Sequence, residues 1–265
     1  MLEILKQQLK DIPTVEEKTN SLREFLQILV LKIIYDLGLF KNLSFVGGTA
    51  LRILYDLRRF SEDLDFSLTN TEKYDFAGFT NSLDQQLSNY GLQVETRTED
   101  KKVIQNIDIK FKGLLAQLSL SGHKSERLFI KVEIDTNPPQ GANLELSLVN
   151  KTYIFTVSHY DLPSLYATKL HACFFRKYVK GRDFYDLVWY LGKRIKPNFE
   201  LLNNAIAQTE SKKSPVTEAN FSEFLRSQLS AIDFTVVRKD VDRFLEDKTE
   251  LRLLDKDLIM QLVKD

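Results

Sequence analysis

Apolar residues at helical spacing divide the N-terminal third of the chain into helices separated by short strands. Leu2–Leu9 shows the 3.6-residue repeat of a helix. Thr14 and Glu17 match a capping box, which predicts the start of a long helix that ends near Gly38. Short apolar segments then alternate with further helices, which predicts strands at Leu43–Val46 and Asp63–Leu68 and helices at 49–57 and 76–90.

The pattern changes to alternation in the middle of the chain and returns to helical spacing after Asp161. Alternating and β-branched residues predict strands at 92–97, 103–111, 114–120, 127–135 and 151–157. Helical spacing predicts helices at 162–176, 182–191, 199–208, 221–229, 236–245 and 258–263. We therefore expect an α/β (α+β) fold with a central mixed sheet flanked by helices, and two domains at 1–158 and 159–265.

Composition and charge narrow the class of protein. The 265 residues include 37 basic and 37 acidic side chains, so the net charge is +0 and any contact with nucleic acid requires a local basic patch. Cys173 is the one cysteine, which excludes an internal disulfide and favours a reducing compartment. No apolar run approaches the ~20 residues of a membrane span, and the mixed charge of the first residues is unlike a signal peptide. We expect a soluble cytoplasmic protein without a membrane partner.

The segment from Phe45 to Leu68 carries the strongest chemical signal. Asp63 and Asp65 lie two apart on a predicted strand, so both carboxylates point to one face, where their repulsion favours a bound cation. Such hard oxygen ligands suit Mg²⁺. Gly47, Gly48 and Thr49 precede a predicted helix, whose N-terminus can hold a phosphate. The order of turn, helix and strand predicts a site for a nucleoside triphosphate. In the alternative interpretation, the two acids lie at a strand end and only form hydrogen bonds with loops.

A third carboxylate is expected on the strand 127–135 if two metal ions are to act together. Lys131, Glu133 and Asp135 share its polar row, with Phe129 at the start. Glu133 is the preferred metal ligand or general base because it lies inside the strand, and Asp135, next to Asn137-Pro138-Pro139, is the second choice. The alternative is the exposed face of an edge strand.

Charged residues of two predicted helices are further candidates. Lys169 interrupts an apolar stripe, so it either extends its amine to solvent or meets an anion such as a triphosphate. Asp183 and Asp186 lie one turn apart near a predicted helix start, where acids also complement the helix dipole. A structural pair of Asp183 with Lys169 or Arg182 is an equal possibility.

These segments together resemble the AbiEii/AbiGii-type nucleotidyltransferase toxins of the DNA polymerase β-like superfamily. The similarity runs in order through GGTALR, RFSEDLDFSL, IKVEID, ATKLHA and GRDFYDLVW, from Phe45 to Trp189. It implies Mg²⁺-dependent transfer of a nucleotide from an NTP to an acceptor with release of pyrophosphate. Gly47, Gly48 and Thr49 match the family's turn, and Asp63 and Asp65 match its metal ligands. The later motif of the family matches Lys169 and Asp183.

The resemblance also implies a toxin of a bacterial toxin–antitoxin or abortive-infection system, with a cognate antitoxin and tRNA as the acceptor. Neither follows from the residues themselves. Three other functions share the same sequence features: transfer to a protein, transfer to a small molecule, and a non-catalytic module that binds nucleotide or RNA.

Overall fold

The computed structural model describes residues 1–101, 103–121, 128–210 and 215–263. Spatial contacts group the chain into two units. The first comprises Met1–Ala50, Ser61–Pro138 and Leu146–His159, and the second comprises Leu51–Phe60, Pro139–Glu145 and Tyr160–Asp265. The domain boundary at 158/159 stays a prediction. The sequence pattern does not indicate that Leu51–Phe60 and Pro139–Glu145 group with the C-terminal residues.

The elements of the N-terminal part follow from local sequence signals. The capping box is present, since Glu17 N donates to Thr14 Oγ1 at 3.2 Å and Thr14 N donates to Glu17 Oε2 at 3.4 Å. The helices are α1 (Leu2–Leu9), α2 (Val15–Asp36), α3 (Gly47–Tyr55), α4 (Phe76–Asn89) and α5 (Leu114–Gln117). The strands are β1 (Leu43–Val46), β2 (Asp63–Leu68), β3 (Val94–Asp100), β4 (Ile104–Phe111), β5 (Leu128–Asp135), β6 (Leu144–Asn150) and β7 (Ile154–Tyr160).

The strands of the described residues form one sheet in the order β3-β4-β5-β2-β1-β7-β6. The sheet is mixed, as expected. β2 runs parallel to β5 and antiparallel to β1, β1 runs parallel to β7, and β4 is antiparallel to both β3 and β5. This order places β2 in the middle of the sheet, between β5 and β1.

The two faces of the sheet differ in polarity. Leu64, Phe66, Ile130 and Val132 are at most 1% exposed, and they alternate with polar residues along β2 and β5. α2 contacts β5 and α4 contacts β3, so the helices cover the apolar rows. The opposite side, which we call the polar face, carries Asp63 and Asp65 of β2, Lys131 and Glu133 of β5, and Asp108 of β4.

Two segments of the sheet region differ from expectation. The predicted strand at 114–120 is wrong: the helix α5 begins after Gly113, whose φ is 67°. Leu114 and Leu115 are buried there, and a short apolar run of this kind has no period that distinguishes strand from helix. The alternating segment Leu144–Asn150 forms β6, a strand that the expected elements do not include. Arg127, at the start of a predicted strand, lies outside the described residues.

The second unit is helical, as expected. Its helices are α6 (Leu162–Phe174), α7 (Gly181–Gly192), α8 (Phe199–Thr209), α9 (Phe221–Ser230), α10 (Phe234–Val241) and α11 (Lys256–Leu262). The rings of Tyr166 in α6 and Tyr190 in α7 stack with their centroids 4.2 Å apart. Short 3-10 helices occur at Leu39–Lys41 in the first unit and at Glu218–Asn220, Asp242–Phe244 and Lys248–Leu253 in the second. In the part of the chain that the structure describes, no helix is long and apolar enough to span a bilayer.

Candidate functional site

The glycine turn lies against one of the paired carboxylates. β1 ends at Val46, which pairs with Asp65, and α3 begins at the next residue, Gly47. Gly47 has a φ of 79°, and a Cβ at this position would collide with the Asp65 carboxylate. Glycine is therefore required here both for its backbone conformation and for the space beside Asp65. The first N–H groups of α3 have no partner within the helix, so an anion can accept from them.

Thr49 connects this turn to the carboxylate strand. Its side chain is fully buried, and its Oγ1 donates a hydrogen bond to the main-chain carbonyl of Asp63. The hydroxyl thus holds the start of β2 next to the first turn of α3. Its predicted part in phosphate binding stays a prediction, and the structure shows a positioning contact instead.

The register of the sheet brings the three predicted carboxylates into one area of the polar face. Asp63 pairs with Lys131 and Asp65 pairs with Glu133 across the parallel strands β2 and β5. Because paired residues of neighbouring strands share a face, Glu133 lies directly beside Asp65. The side chains of these acids are partly exposed, so a ligand can reach them.

An ammonium group neutralises part of this cluster. Lys131 Nζ donates to Glu133 Oε1 at 2.5 Å. Burial alone would lower the pKa of Lys131, but the hydrogen bond and charge of Glu133, with the charges of Asp108 and Asp63, raise it above its usual value. Lys131 therefore remains charged and takes the place of a counter-ion for the acids around it.

Asp135, the second choice for the third carboxylate, faces a different neighbour. It pairs with Ser67 instead of with either acid of β2, and its Oδ1 accepts from the backbone N–H of Asn137 at 2.9 Å. Burial raises the pKa of Asp135 even though that hydrogen bond lowers it. These contacts favour Glu133 over Asp135 as the partner of Asp65.

The donor chemistry of Asp63 and Asp65 fits a hard divalent cation. Mg²⁺ commonly binds to one or two carboxylates and completes its shell with water and substrate phosphates. Across the described ranges, no group of three or more His, Cys, Asp or Glu side chains is arranged to hold a metal ion. The two acids of β2 thus offer part of a coordination shell, next to a turn suited to phosphate.

The other predicted residues, Lys169 and Asp183, lie in the second unit. Lys169 Nζ is 2.7 Å from Asp183 Oδ1 and 2.8 Å from Asp186 Oδ2, and its side chain is 9% exposed. Burial raises the pKa of Asp183, but the positive charges of Lys169, Arg176 and Arg59 outweigh it, so this pKa lies below its ordinary value. The structural pair of Asp183 with Lys169 is present.

A buried arginine completes this group of charges. Arg59 donates from Nε and a terminal nitrogen to the two oxygens of Asp186, both at 2.6 Å. Arg59 is 2% exposed and Asp186 is fully buried. Arg176 adds a contact of 2.9 Å to Asp183. The sequence does not identify Arg59 as part of this group, because Arg59 lies in a loop more than 100 residues before Asp186. The spacing that places Asp183 and Asp186 on one helix face was the one available signal of the buried group.

A family model described as the nucleotidyl transferase AbiEii toxin of type IV toxin–antitoxin systems matches residues 29–257. The chain belongs to the AbiEii family. Membership confirms the resemblance seen in the sequence motifs and makes the protein a nucleotidyltransferase toxin. An NTP substrate and an antitoxin partner follow from membership. No curated protein matches this AbiEii chain significantly.

Solved structures support the fold. The crystal structure of JHP933 from Helicobacter pylori has a TM-score of 0.54 and 20% identity, over 92% of this chain and 93% of that one. A candidate nucleotidyltransferase from H. pylori has a TM-score of 0.53 and 20% identity, over 91% of this chain and 96% of that one. This AbiEii protein therefore has the predicted α/β nucleotidyltransferase fold.

Proposed function

We propose that the protein transfers a nucleoside monophosphate from an NTP to tRNA, in a Mg²⁺-dependent reaction that releases pyrophosphate. The observation that carries this proposal is the register that places Glu133 beside Asp65, next to the glycine turn at Gly47. A nucleotidyl transfer needs a place for phosphates and an adjacent cluster of carboxylates, and these residues supply both.

The roles of the residues follow from their positions. Asp63 and Asp65 would hold the metal ion, and the backbone N–H groups at Gly47 and Gly48 would donate hydrogen bonds to the β- and γ-phosphates. When bound, Mg²⁺ would neutralise charge on the phosphates. Thr49 keeps the turn and β2 together through its bond to Asp63.

Glu133 is placed to act as general base or as a further metal ligand. As a base it would take the proton of the acceptor hydroxyl while that oxygen forms a bond to the α-phosphorus. The bond from the α-phosphorus to the bridging oxygen breaks, and pyrophosphate leaves with its electrons. Lys131, which now donates to Glu133, would have to release that carboxylate or share it.

Lys169 and Asp183 keep their predicted roles, in which Lys169 neutralises charge on the nucleotide and Asp183 orients Lys169 or the acceptor. The hydrogen bond between the two side chains, at 2.7 Å, supports the orienting role. A cytoplasmic location is part of the same proposal, because NTP and tRNA are cytoplasmic. Transfer to a protein or a small molecule, and nucleotide or RNA binding without transfer, are the outcomes that would contradict the choice of acceptor or of reaction.

The test is transfer from each of four α-³²P-labelled NTPs into total tRNA, total protein and a control without acceptor, with Mg²⁺ or with EDTA. We expect label in tRNA that needs Mg²⁺ and that Asp63→Asn and Asp65→Asn each reduce to background. Label in protein would overturn the proposal that tRNA is the acceptor. Full activity of either variant would overturn the proposed site.

Matched variants separate the carboxylates from their neighbours. Asp108→Asn removes a negative charge from the same polar face without touching the proposed metal ligands, so transfer should persist. Glu133→Gln should reduce transfer at least tenfold, whereas Asp135→Asn should leave it within about twofold, because only Glu133 lies beside Asp65. The reverse order would make Asp135 the third carboxylate.

A further inference from the structure

An exposed aromatic ring lies in the same row of β5 as the proposed general base. Phe129 occupies a position of the alternating strand that is otherwise polar, together with Lys131 and Glu133. Its side chain is 49% exposed, although its strand neighbours Leu128 and Ile130 are at most 2% exposed. Strand geometry puts Phe129 roughly 13 Å from Glu133 along the polar face. A half-exposed ring in this row is not needed for the core.

A lysine ammonium lies over this ring. Phe129 pairs with Lys110 across β4 and β5, and Lys110 Nζ is 5.7 Å from the ring centroid. Lys110 is itself held by Glu95, whose Oε1 is 3.5 Å away. An exposed aromatic with a cation next to it, on the surface of a sheet, is the arrangement with which sheet proteins stack unpaired nucleobases.

The order of the strands places the glycine turn and the ring on opposite sides of β2. β2 carries Asp63 and Asp65 and lies between β1 and β5. β1 leads into the glycine turn at Gly47, so the triphosphate would extend on that side of the acids. Phe129 lies on the other side of β2, in β5, where Lys131 separates it from Glu133 along the strand.

We infer that Phe129, supported by Lys110, stacks a base of the acceptor nucleic acid near its unpaired 3′ end. This inference rests on the proposed function and adds to it a residue that selects the acceptor. The ring favours an acceptor with a single-stranded end, since a base inside a duplex has no free face to stack. The incoming NTP does not contact Phe129.

The experiment compares Phe129→Ala and Phe129→Trp with the wild-type chain. Binding of a short fluorescein-labelled single-stranded RNA is measured by anisotropy, and KM for tRNA and for NTP is measured in the transfer assay. We expect Phe129→Ala to raise the RNA Kd and the tRNA KM about 5- to 150-fold, as loss of one stacked base does, and to leave the NTP KM within about twofold. Phe129→Trp should bind RNA at least as tightly as the wild type.

Leu146→Ala is the matched control, because Leu146 is a 77% exposed apolar residue of β6 at the far end of the sheet. It should change none of these quantities. An unchanged RNA Kd in Phe129→Ala, an equal rise of both KM values, or label only in protein would overturn the inference. If the wild type binds RNA but transfers nothing, the proposed function fails while the anisotropy comparison still decides the role of Phe129. Absence of RNA binding by the wild type would overturn the inference directly.

Discussion

Gly47 lies between the two parts of the candidate site, the N-terminus of α3 and the Asp65 carboxylate, where only a residue without a side chain fits. Its left-handed φ of 79° would strain any other residue, and its Cα lies so close to Asp65 that a methyl group cannot fit. Gly38 has a similar φ of 69° at the end of α2, but a Cβ there would meet nothing within 4 Å. A comparison of the two positions therefore distinguishes the effect of backbone strain from the effect of a steric clash.

We expect Gly47→Ala to abolish nucleotide transfer, because the new methyl group displaces the Asp65 carboxylate. Gly38→Ala should keep transfer, although both variants lose about 1–2 kcal/mol of stability through the strained φ. Transfer assays and the Tm of each variant provide the measurement. Equal activity of the two variants would show that the contact with Asp65 does not matter.

At the scale of helices, α6 and α7 are joined by buried charges as well as by apolar contacts. Lys169 of α6 contacts Asp183 and Asp186 of α7, and Arg59, which lies in the loop between α3 and β2, binds Asp186. Removal of one partner from such a group leaves a buried charge without its counter-ion, which costs more than the loss of an exposed pair. Asp186 is the member with no exposure.

Asp186→Asn should therefore destabilise the protein by about 3–5 kcal/mol, because Arg59 and Lys169 both lose their buried carboxylate. Glu218→Gln removes an acid that is 68% exposed and pairs with Lys196, and it should cost no more than about 1 kcal/mol. Denaturant unfolding followed by the fluorescence of Trp189, the one tryptophan, measures both variants. Similar midpoints for the two variants would contradict a structural role for the buried network.

A test of the proposed action of Lys169 on the nucleotide requires a variant in which Asp183 is not left as a buried charge without its lysine partner. The double change Lys169→Met with Asp183→Asn removes one charge of each sign from the contact at 2.7 Å. We expect the KM for NTP to rise at least tenfold while the Tm stays closer to the wild type than that of Lys169→Met alone. An unchanged KM in the double variant would restrict Lys169 to a structural role.

For the whole molecule, the buried carboxylate of Asp183 predicts loss of stability in acid. The folded-state pKa of Asp183 is below its ordinary value of 3.8, since Lys169 and Arg176 outweigh the effect of burial. A depressed carboxyl pKa contributes stability above the ordinary value, and this contribution disappears as the pH falls towards the folded-state value. Stability should thus decrease below about pH 4.

Asp183→Asn tests this pH dependence. The variant should be less stable than the wild type at neutral pH, but it should lose less on acidification, because the group that takes up a proton is gone. Urea midpoints from Trp189 fluorescence at neutral pH and near pH 3 give the comparison. The same acid-induced loss in both chains would assign it to other carboxylates.

The sequence determined most of the elements and the chemistry of the candidate site. Local signals such as the Thr14–Glu17 capping box, the alternation in β2 and β5, and the paired Asp63 and Asp65 act between residues close in the chain, so a sequence pattern reveals them. The exceptions were segment 114–120, an apolar run too short to have a diagnostic period, and the strand β6, which was not predicted.

Only the tertiary structure decided which distant residues meet. The choice of Glu133 over Asp135 depends on the register of β2 against β5, and a shift by two residues would exchange their positions. The salt bridge of Arg59 with Asp186 joins residues far apart in the chain, and the opposite flanks of Gly47 and Phe129 depend on the strand order. These relations arise from packing and strand pairing, which no local pattern encodes.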